Sequence, residues 1–364
     1  MNLGVFLAIG ESWEEFERNG QATLFLNNNL KYYAQSFTKV YLFSYGSKSS
    51  LLIKPNVYLI GNPYKLHRFV YAFLLPFFHY QKIRSCAVLR GMQLTGGLPC
   101  LVAKAVLGKK YIFNYGYDYS KAARCQNQLL RAWLLHGLKH ALAFFADAII
   151  TTTKRLKHAY PSYIQSKIYL IPNGVDVQLF KPSVGKRTRK KATVIYVGRL
   201  ETQKNPELIL NSIVRLPKNE RQLLIIGSGT LTNALLHLAR KFQIKLTHYP
   251  IIPHHQLPLY YNQARIFILV SKFEGHPKAL LEAMSCSLPV VGTDVEGIND
   301  VITHNYNGLL LSEAADAIGQ TLKLLLRNKQ LAVKLGSNAR RTIVEKYNSR
   351  ITWKKEIRLL KNII

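Results

Sequence analysis

At 364 residues the chain exceeds one ordinary hydrophobic core and fits two domains. Its 48% hydrophobic content excludes a disordered polymer, and 50 Lys and Arg against 19 Asp and Glu leave a formal charge of +31. A field of that sign attracts polyanions without choosing among nucleic acid, an anionic membrane and an anionic substrate.

The opening MNLGVFLAIGESWEEF lacks the basic start and long apolar run of a signal peptide, and reads as a strand, a loop and a helix. Short β-rich runs then alternate with helical stretches, the pattern of parallel sheets covered by helices. Strands are expected at residues 3–9, 39–43, 57–60, 87–90, 110–114, 148–151 and 167–171, and they make one Rossmann-like half. Between Glu17 and Asp118 there is no carboxylate. Within that stretch residues 64–84 (YKLHRFVYAFLLPFFHYQKIR) form an aromatic, apolar helix with basic ends. Its centre is too short to span a bilayer and holds Pro76, so an interfacial helix and a helix buried against the sheet are the two readings. Asp118 follows the expected strand YIFNY, at a strand end, and is a catalytic candidate whose plain alternative is a helix cap. A second helix, 128–146, carries Gln128, Arg131, His136, Lys139 and His140 on one side and Leu, Trp and Phe on the rest.

Four cysteines, Cys86, Cys100, Cys125 and Cys286, have no Cys-x-x-Cys spacing, so neither a zinc knot nor a redox pair is expected. Reduced, buried thiols fit better and favour the cytoplasm. The basic stretch 181–191 (KPSVGKRTRKK) interrupts the alternation and reads as a connector between domains 1–180 and 190–346.

A second alternating series follows, with strands expected at 193–198, 222–227, 244–248, 266–270, 289–292 and 309–311. The turn GRLETQKNPEL places Arg199 and Lys204 just after the first of them, where parallel sheets bind ligands. Gly227 and Gly229 end the next strand, either to admit a ligand to the backbone or for packing. The most informative run is FEGHPKALLEAMSCSLPVV. It sets Glu274 on a loop and Glu282 about a turn inside a helix begun near Pro277. Between them the amides of Gly275, His276, Lys278, Ala279 and Leu280 make an anion site, because a helix start presents unpaired N–H groups. A ligand with hydroxyls at both ends and phosphates in the middle suits it, which describes a nucleotide sugar.

The same run resembles the Glu-x7-Glu motif of the retaining glycosyltransferases of family 4, the glycosyl transferases group 1. The resemblance continues through KIYLIPNGVDVQLFKP, VIYVGRLETQKNPELIL, LLIIGSGTL and LPVVGTDVEGINDVITHNYNGLLL, over roughly residues 147–345. It implies an α/β GT-B fold of two Rossmann-like parallel-sheet domains facing a cleft, the first binding the acceptor and completed by a terminal helix, 347–364, and the second binding the donor. It also implies retaining transfer from a UDP- or GDP-linked sugar to a glycan or lipid-linked acceptor. By the same resemblance Glu274 holds the donor sugar, Glu282 the ribose, and Arg199 and Lys204 the diphosphate. The base is read near 249–252, including Ile252, largely by main chain. No cofactor and no metal are expected, since fixed cations take over the metal's electrostatic role. Where the family often has a His motif, this chain has NYGYDY, which leaves the sugar open. A basic nucleic-acid-binding protein is the rival of another class, and carboxylates at the ligand site speak against it. Another GT-B activity, such as an epimerase or phosphorylase, is the rival within enzymes. The acid-free first half points to an anionic membrane as a partner, and so to a peripheral position on the inner face of the cytoplasmic membrane.

Overall fold

The computed structural model describes residues 1–47, 51–183 and 192–364, so most of the expected connector, from residue 184, lies outside the described residues. The chain divides into two compact units, Met1–Pro172 with Trp353–Ile364, and Asn173–Thr352. Both expected boundaries shift. Val175, Val177 and Phe180 are buried in the core of the second unit, and Val175 N donates to Tyr347 O at 2.8 Å. Residues 173–180 therefore go with the second unit, as does the segment 347–352.

In the first unit eight strands run β1 (Asn2–Phe6), β2 (Lys39–Phe43), β3 (Leu51–Lys54), β4 (Val57–Ile60), β5 (Cys86–Gly91), β6 (Tyr111–Tyr115), β7 (Ala148–Thr151) and β8 (Ile168–Leu170). Their order in the sheet is β3-β4-β2-β1-β5-β6-β7-β8. All neighbours are parallel except β3, which pairs antiparallel with β4. That edge strand is absent from the expected list, because a two-residue turn at Pro55 and Asn56 folds LLIK back into a hairpin too short to show a period. β7 is buried along its whole length, as strands covered on both faces should be. One face of the sheet is covered by helices Arg68–Phe78, Gly97–Leu107 and Leu129–Phe145, through Tyr71, Leu75, Cys100, Ala103 and Leu142. The other packs Trp13, Phe16, Tyr33, Leu359 and Leu360. The expected helix 64–84 is two helices, Arg68–Phe78 and Tyr80–Arg84, separated at His79.

Arg90 on β5 is buried and makes an ion pair with Glu356 of the last helix, Ser349–Ile363, at 2.8 Å. Tyr33 Oη donates to the same carboxylate oxygen at 2.6 Å. A charge placed so deep is tolerable only when paired and hydrogen-bonded. Of the cysteines, Cys86, Cys100 and Cys286 are free and buried, whereas Cys125 is free and exposed, against the expectation for all four.

The second unit carries β9 (Ala192–Val197), β10 (Gln222–Ile226), β11 (Lys245–Tyr249), β12 (Ala264–Leu269), β13 (Val290–Thr293) and β14 (Leu309–Leu311). All are parallel, in the order β11-β10-β9-β12-β13-β14. The chain steps outward from β9 to β11, then returns beside β9 with β12 and steps the other way. β9 and β12 thus flank a topological switch point, where the connecting loops leave in opposite directions and open a crevice for ligands.

Candidate functional site

The two loops that leave the switch point are tied together by one main-chain and one side-chain hydrogen bond. Lys272 N donates to Gln203 O at 2.9 Å, and Gln203 Nε2 donates to Phe273 O at 2.7 Å. The first loop ends in a short turn, Thr202–Lys204, after which Asn205 (φ 50°) and Pro206 open the helix Pro206–Ile213. This zipper carries Lys204 against Glu274, Nζ to Oε1 at 2.5 Å. Ser271 Oγ donates to the same oxygen at 2.6 Å. Behind the loop, Gly297 has φ +83°, and a Cβ there would lie 2.5 Å from the carbonyl oxygens of both Glu274 and Gly275. Only glycine lets the 294–297 segment pack this closely. Tyr196, on β9, has its phenol pKa raised by burial and by the nearby Glu274 carboxylate, and its Oη donates to Arg199 O at 2.8 Å. Arg199 itself is exposed.

Glu282 lies on the helix Lys278–Ser285, flanked by Leu281 and Ala283 in the core. Its carboxylate is held from two sides, by His254 Nε2 at 2.8 Å from Oε1 and by Tyr261 Oη, which donates to Oε2 at 3.1 Å. Burial and the Glu282 carboxylate raise the Tyr261 phenol well above its ordinary pKa. Phe180 packs edge-on against His254, with ring centroids 5.0 Å apart. Pro277 is the residue before the helix, not its first, and no side chain caps that end. The first intrahelical donor is Leu281 N, to Pro277 O at 3.3 Å, so the amides of Lys278, Ala279 and Leu280 head the helix without intrahelical acceptors.

His276, expected to act through its amide, is buried, and its Nδ1 has no partner among the described residues. Burial lowers its pKa to about 4. Its carbonyl accepts from Asn173 Nδ2 at 2.8 Å. Of the two readings of the glycines, packing is what the geometry shows. A Cβ at Gly227 (φ +139°) would lie 2.0 Å from Gly198 O, and one at Gly229 would lie 2.4 Å from Leu200 O. Ile252 is partly buried against the second core, two residues before His254.

In the first unit Asp118 caps the helix Tyr119–Cys125, its Oδ1 accepting from Ser120 N at 3.1 Å and Lys121 N at 3.0 Å. Tyr115 Oη donates to the same oxygen at 3.0 Å. The capping alternative is therefore the one this geometry displays. Three site residues escaped the sequence reading: Ser271, His254 and Tyr261. No spacing rule joins His254 and Tyr261 to Glu282, since sheet order alone brings the segment after β11 to the helix after β12.

The profile of the family described as Glycosyl transferases group 1 matches residues 178–342. The UDP-Gal:alpha-D-GlcNAc-diphosphoundecaprenol alpha-1,3-galactosyltransferase of Escherichia coli is 28% identical over 197 residues, 50% of this chain and 51% of that protein. An N-acetyl-D-galactosaminyltransferase of Campylobacter jejuni, named for an undecaprenol-linked acceptor, is 25% identical over 276 residues, 74% of this chain and 73% of that one. The match spans between 51% and 63% of the length of the first four curated relatives. Among solved structures, a sucrose-phosphate synthase from Thermosynechococcus elongatus superposes with a TM-score of 0.81 at 18% identity, covering 100% of this chain and 99% of that one. Anabaena HepE, solved with UDP and glucose, superposes with a TM-score of 0.79 at 16% identity, covering 100% of both chains.

Proposed function

We propose that the chain, whose residues 178–342 match the glycosyl transferases group 1 and which has the two-domain GT-B fold, is a retaining glycosyltransferase of that family. It moves a sugar from a nucleotide diphosphate sugar to a hydroxyl of a glycan or lipid-linked acceptor. The observation that carries this reading is the Lys204–Glu274 contact at the switch point, beside an uncapped helix start and one helical turn from Glu282. A nucleotide sugar presents ribose hydroxyls, a diphosphate and sugar hydroxyls in that order. Glu282, fixed by His254 and Tyr261, accepts from the ribose; Arg199, Lys204 and the amides of Gly275, His276, Lys278, Ala279 and Leu280 meet the diphosphate; Glu274 accepts from the sugar. Ile252 and its neighbours border the base.

Breaking the anomeric bond places negative charge on the departing phosphate, and cations already fixed there stabilise it without reorganising. Lys204 is prepositioned by Glu274, and exposed Arg199 supplies the second charge. The acceptor hydroxyl attacks from the face the phosphate leaves, the phosphate oxygen takes the acceptor's proton, and the configuration at the anomeric carbon is kept. Electrostatic relief of the leaving group then needs no metal. The UDP held by HepE and the undecaprenol-linked acceptors named for the two bacterial relatives support the classes of donor and acceptor proposed.

A thermal-shift panel of nucleotides and nucleotide sugars tests the donor, since a ligand that binds only the native state raises its apparent stability. NMR of the product's anomeric proton then tests retention. No shift with any nucleotide would remove the reading; an inverted product would remove the mechanism alone.

A further inference from the structure

The first unit exposes an apolar face that its own packing does not need. Along the helix Leu129–Phe145, the side chains of Leu129, Leu130, Trp133, Leu134, Phe144 and Phe145 are between 50% and 73% exposed. They recur at helical spacing on one side, while Ala132, Lys139, Leu142 and Ala143 point inward. The polarity is the reverse of what the sequence pattern suggests, because Lys139 goes into the fold. Its Nζ donates to Ala159 O at 3.0 Å and lies 4.4 Å from the centre of the Tyr160 ring. With the cation inside, the leucines and aromatics are left outside. The helix Arg68–Phe78 repeats the arrangement: Tyr71, Ala72 and Leu75 are buried, and Phe69, Val70, Phe73 and Phe77 are 47–55% exposed. Both helices lie in the layer that covers one face of the sheet, with Gly97–Leu107 in contact with each. Clusters of this size on a surface mark a place of attachment.

We propose that these two helices dock the first unit on an anionic lipid surface, and that the leading turn of Leu129–Phe145 inserts Leu129, Leu130, Trp133 and Leu134 among the acyl chains. Charge selects the occupant. Between Arg18 and Ala146 the sequence has one carboxylate, Asp118, and that one is engaged as a helix cap. Exposed Lys65, Arg68, Arg84, Arg124 and Arg131 lie within or beside the two helices. A second copy would bring the same positive sign against this face, whereas anionic headgroups complement it and acyl chains take the apolar stripe. Among the described residues no helix is long and apolar enough to cross a membrane, so the contact is interfacial.

The test uses the whole protein with phosphatidylcholine vesicles, with and without phosphatidylglycerol. Of the three tryptophans, Trp133 is 71% exposed, Trp13 is buried and Trp353 is half-buried against the cluster on the opposite face of the sheet, so Trp133 is the natural reporter. Its emission should shift to the blue only with the anionic vesicles, and Trp133→Phe should lose the shift yet still sediment with them. Leu130→Ser combined with Leu134→Ser should lower the partition coefficient at least about tenfold without changing the thermal midpoint, because both positions are exposed. Phe73→Ser with Phe77→Ser is the parallel variant on the other helix. Raised salt should weaken the binding of the wild type and leave a residue that the serine variants lack. Equal binding to both vesicle types, or none, overturns the proposal. So does a lipid-free dimer that the Leu130→Ser, Leu134→Ser variant converts to monomer, since that assigns the face to a second copy.

Discussion

Lys204 Nζ and Glu274 Oε1 stand 2.5 Å apart, with both side chains largely withdrawn from solvent. Each is the other's counter-charge until a substrate arrives. On the proposed reading, a diphosphate entering the switch point would compete with Glu274 for Lys204 and free carboxylate capacity for a hydroxyl. Glu274→Gln should therefore lower turnover by about 10²-fold or more, while nucleotide affinity, measured calorimetrically, stays close to that of the wild type. Unchanged turnover would remove Glu274 from the reaction.

Arg199 and Lys204 share a proposed role but not an environment. Arg199 is exposed, so Arg199→Ala should cost rate and leave the thermal midpoint unmoved. Lys204→Ala strips a buried carboxylate of its cation, and breaking such a pair from one side costs roughly 3 kcal/mol. It should lower both the rate and the midpoint. Equal midpoints for the two variants would show that the pair adds nothing to the fold.

His254 and Tyr261 divide the oxygens of Glu282 between them. Glu282→Ala should weaken donor binding by roughly 1.5–3 kcal/mol, the worth of a charge-assisted hydrogen bond. His254→Ala should reproduce a smaller part of that loss as a raised KM, with kcat nearly constant. A loss in kcat alone would contradict the assignment of this cluster to the ribose end.

His276 links the site to pH. Burial holds its pKa at about 4 in the folded chain, while the unfolded chain takes up the proton near 6.5. Between those values the unfolded state binds more protons, so stability falls as pH falls from about 6.5 towards 4, and is unaffected by this group above that window. The full effect is on the order of 3 kcal/mol. Urea unfolding at neutral and acid pH should show a shallower acid loss in His276→Gln than in the wild type. His79, also held near 4 by burial and by Lys82, is present in both proteins and cancels in the comparison. Parallel pH profiles would mean that His276 is solvated in solution.

Much of the fold is legible in local pattern. β2, β4, β7 and β14 fall at their expected bounds, and β7, buried along its whole length, shows why: a strand covered on both faces is written as a short unbroken apolar run. β3 is illegible for the converse reason: its identity depends on the hairpin partner, not on a period of its own. The unit boundary escaped because Val175, Val177 and Phe180 look like an exit from the first sheet but face the second core. At the site, the loop position of Glu274 and the helical position of Glu282 follow from Pro277 and the apolar run after it. Ser271, His254 and Tyr261 do not follow, since their partners are set by the order β11-β10-β9-β12. The side of Leu129–Phe145 that faces inward was likewise decided by one residue, Lys139, whose burial among Tyr115, Tyr160 and a carbonyl has no local signature.

The pairing of Arg90 with Glu356 joins two parts of the first unit that are made at different times. Residues up to Pro172 leave the ribosome first, yet the first unit is completed by Trp353–Ile364, which at about 5–20 residues per second arrive roughly 10–40 s later. For that interval, while residues 173–352 of the second unit are being made, the nascent sheet holds a guanidinium with neither its carboxylate nor the apolar cover of Leu359 and Leu360. Assembly of the first unit therefore runs against the order of synthesis, with strands made before Pro172 waiting on a helix made after the whole of the second unit. A chain cut short before Trp353 would be left with an unfinished amino-terminal half.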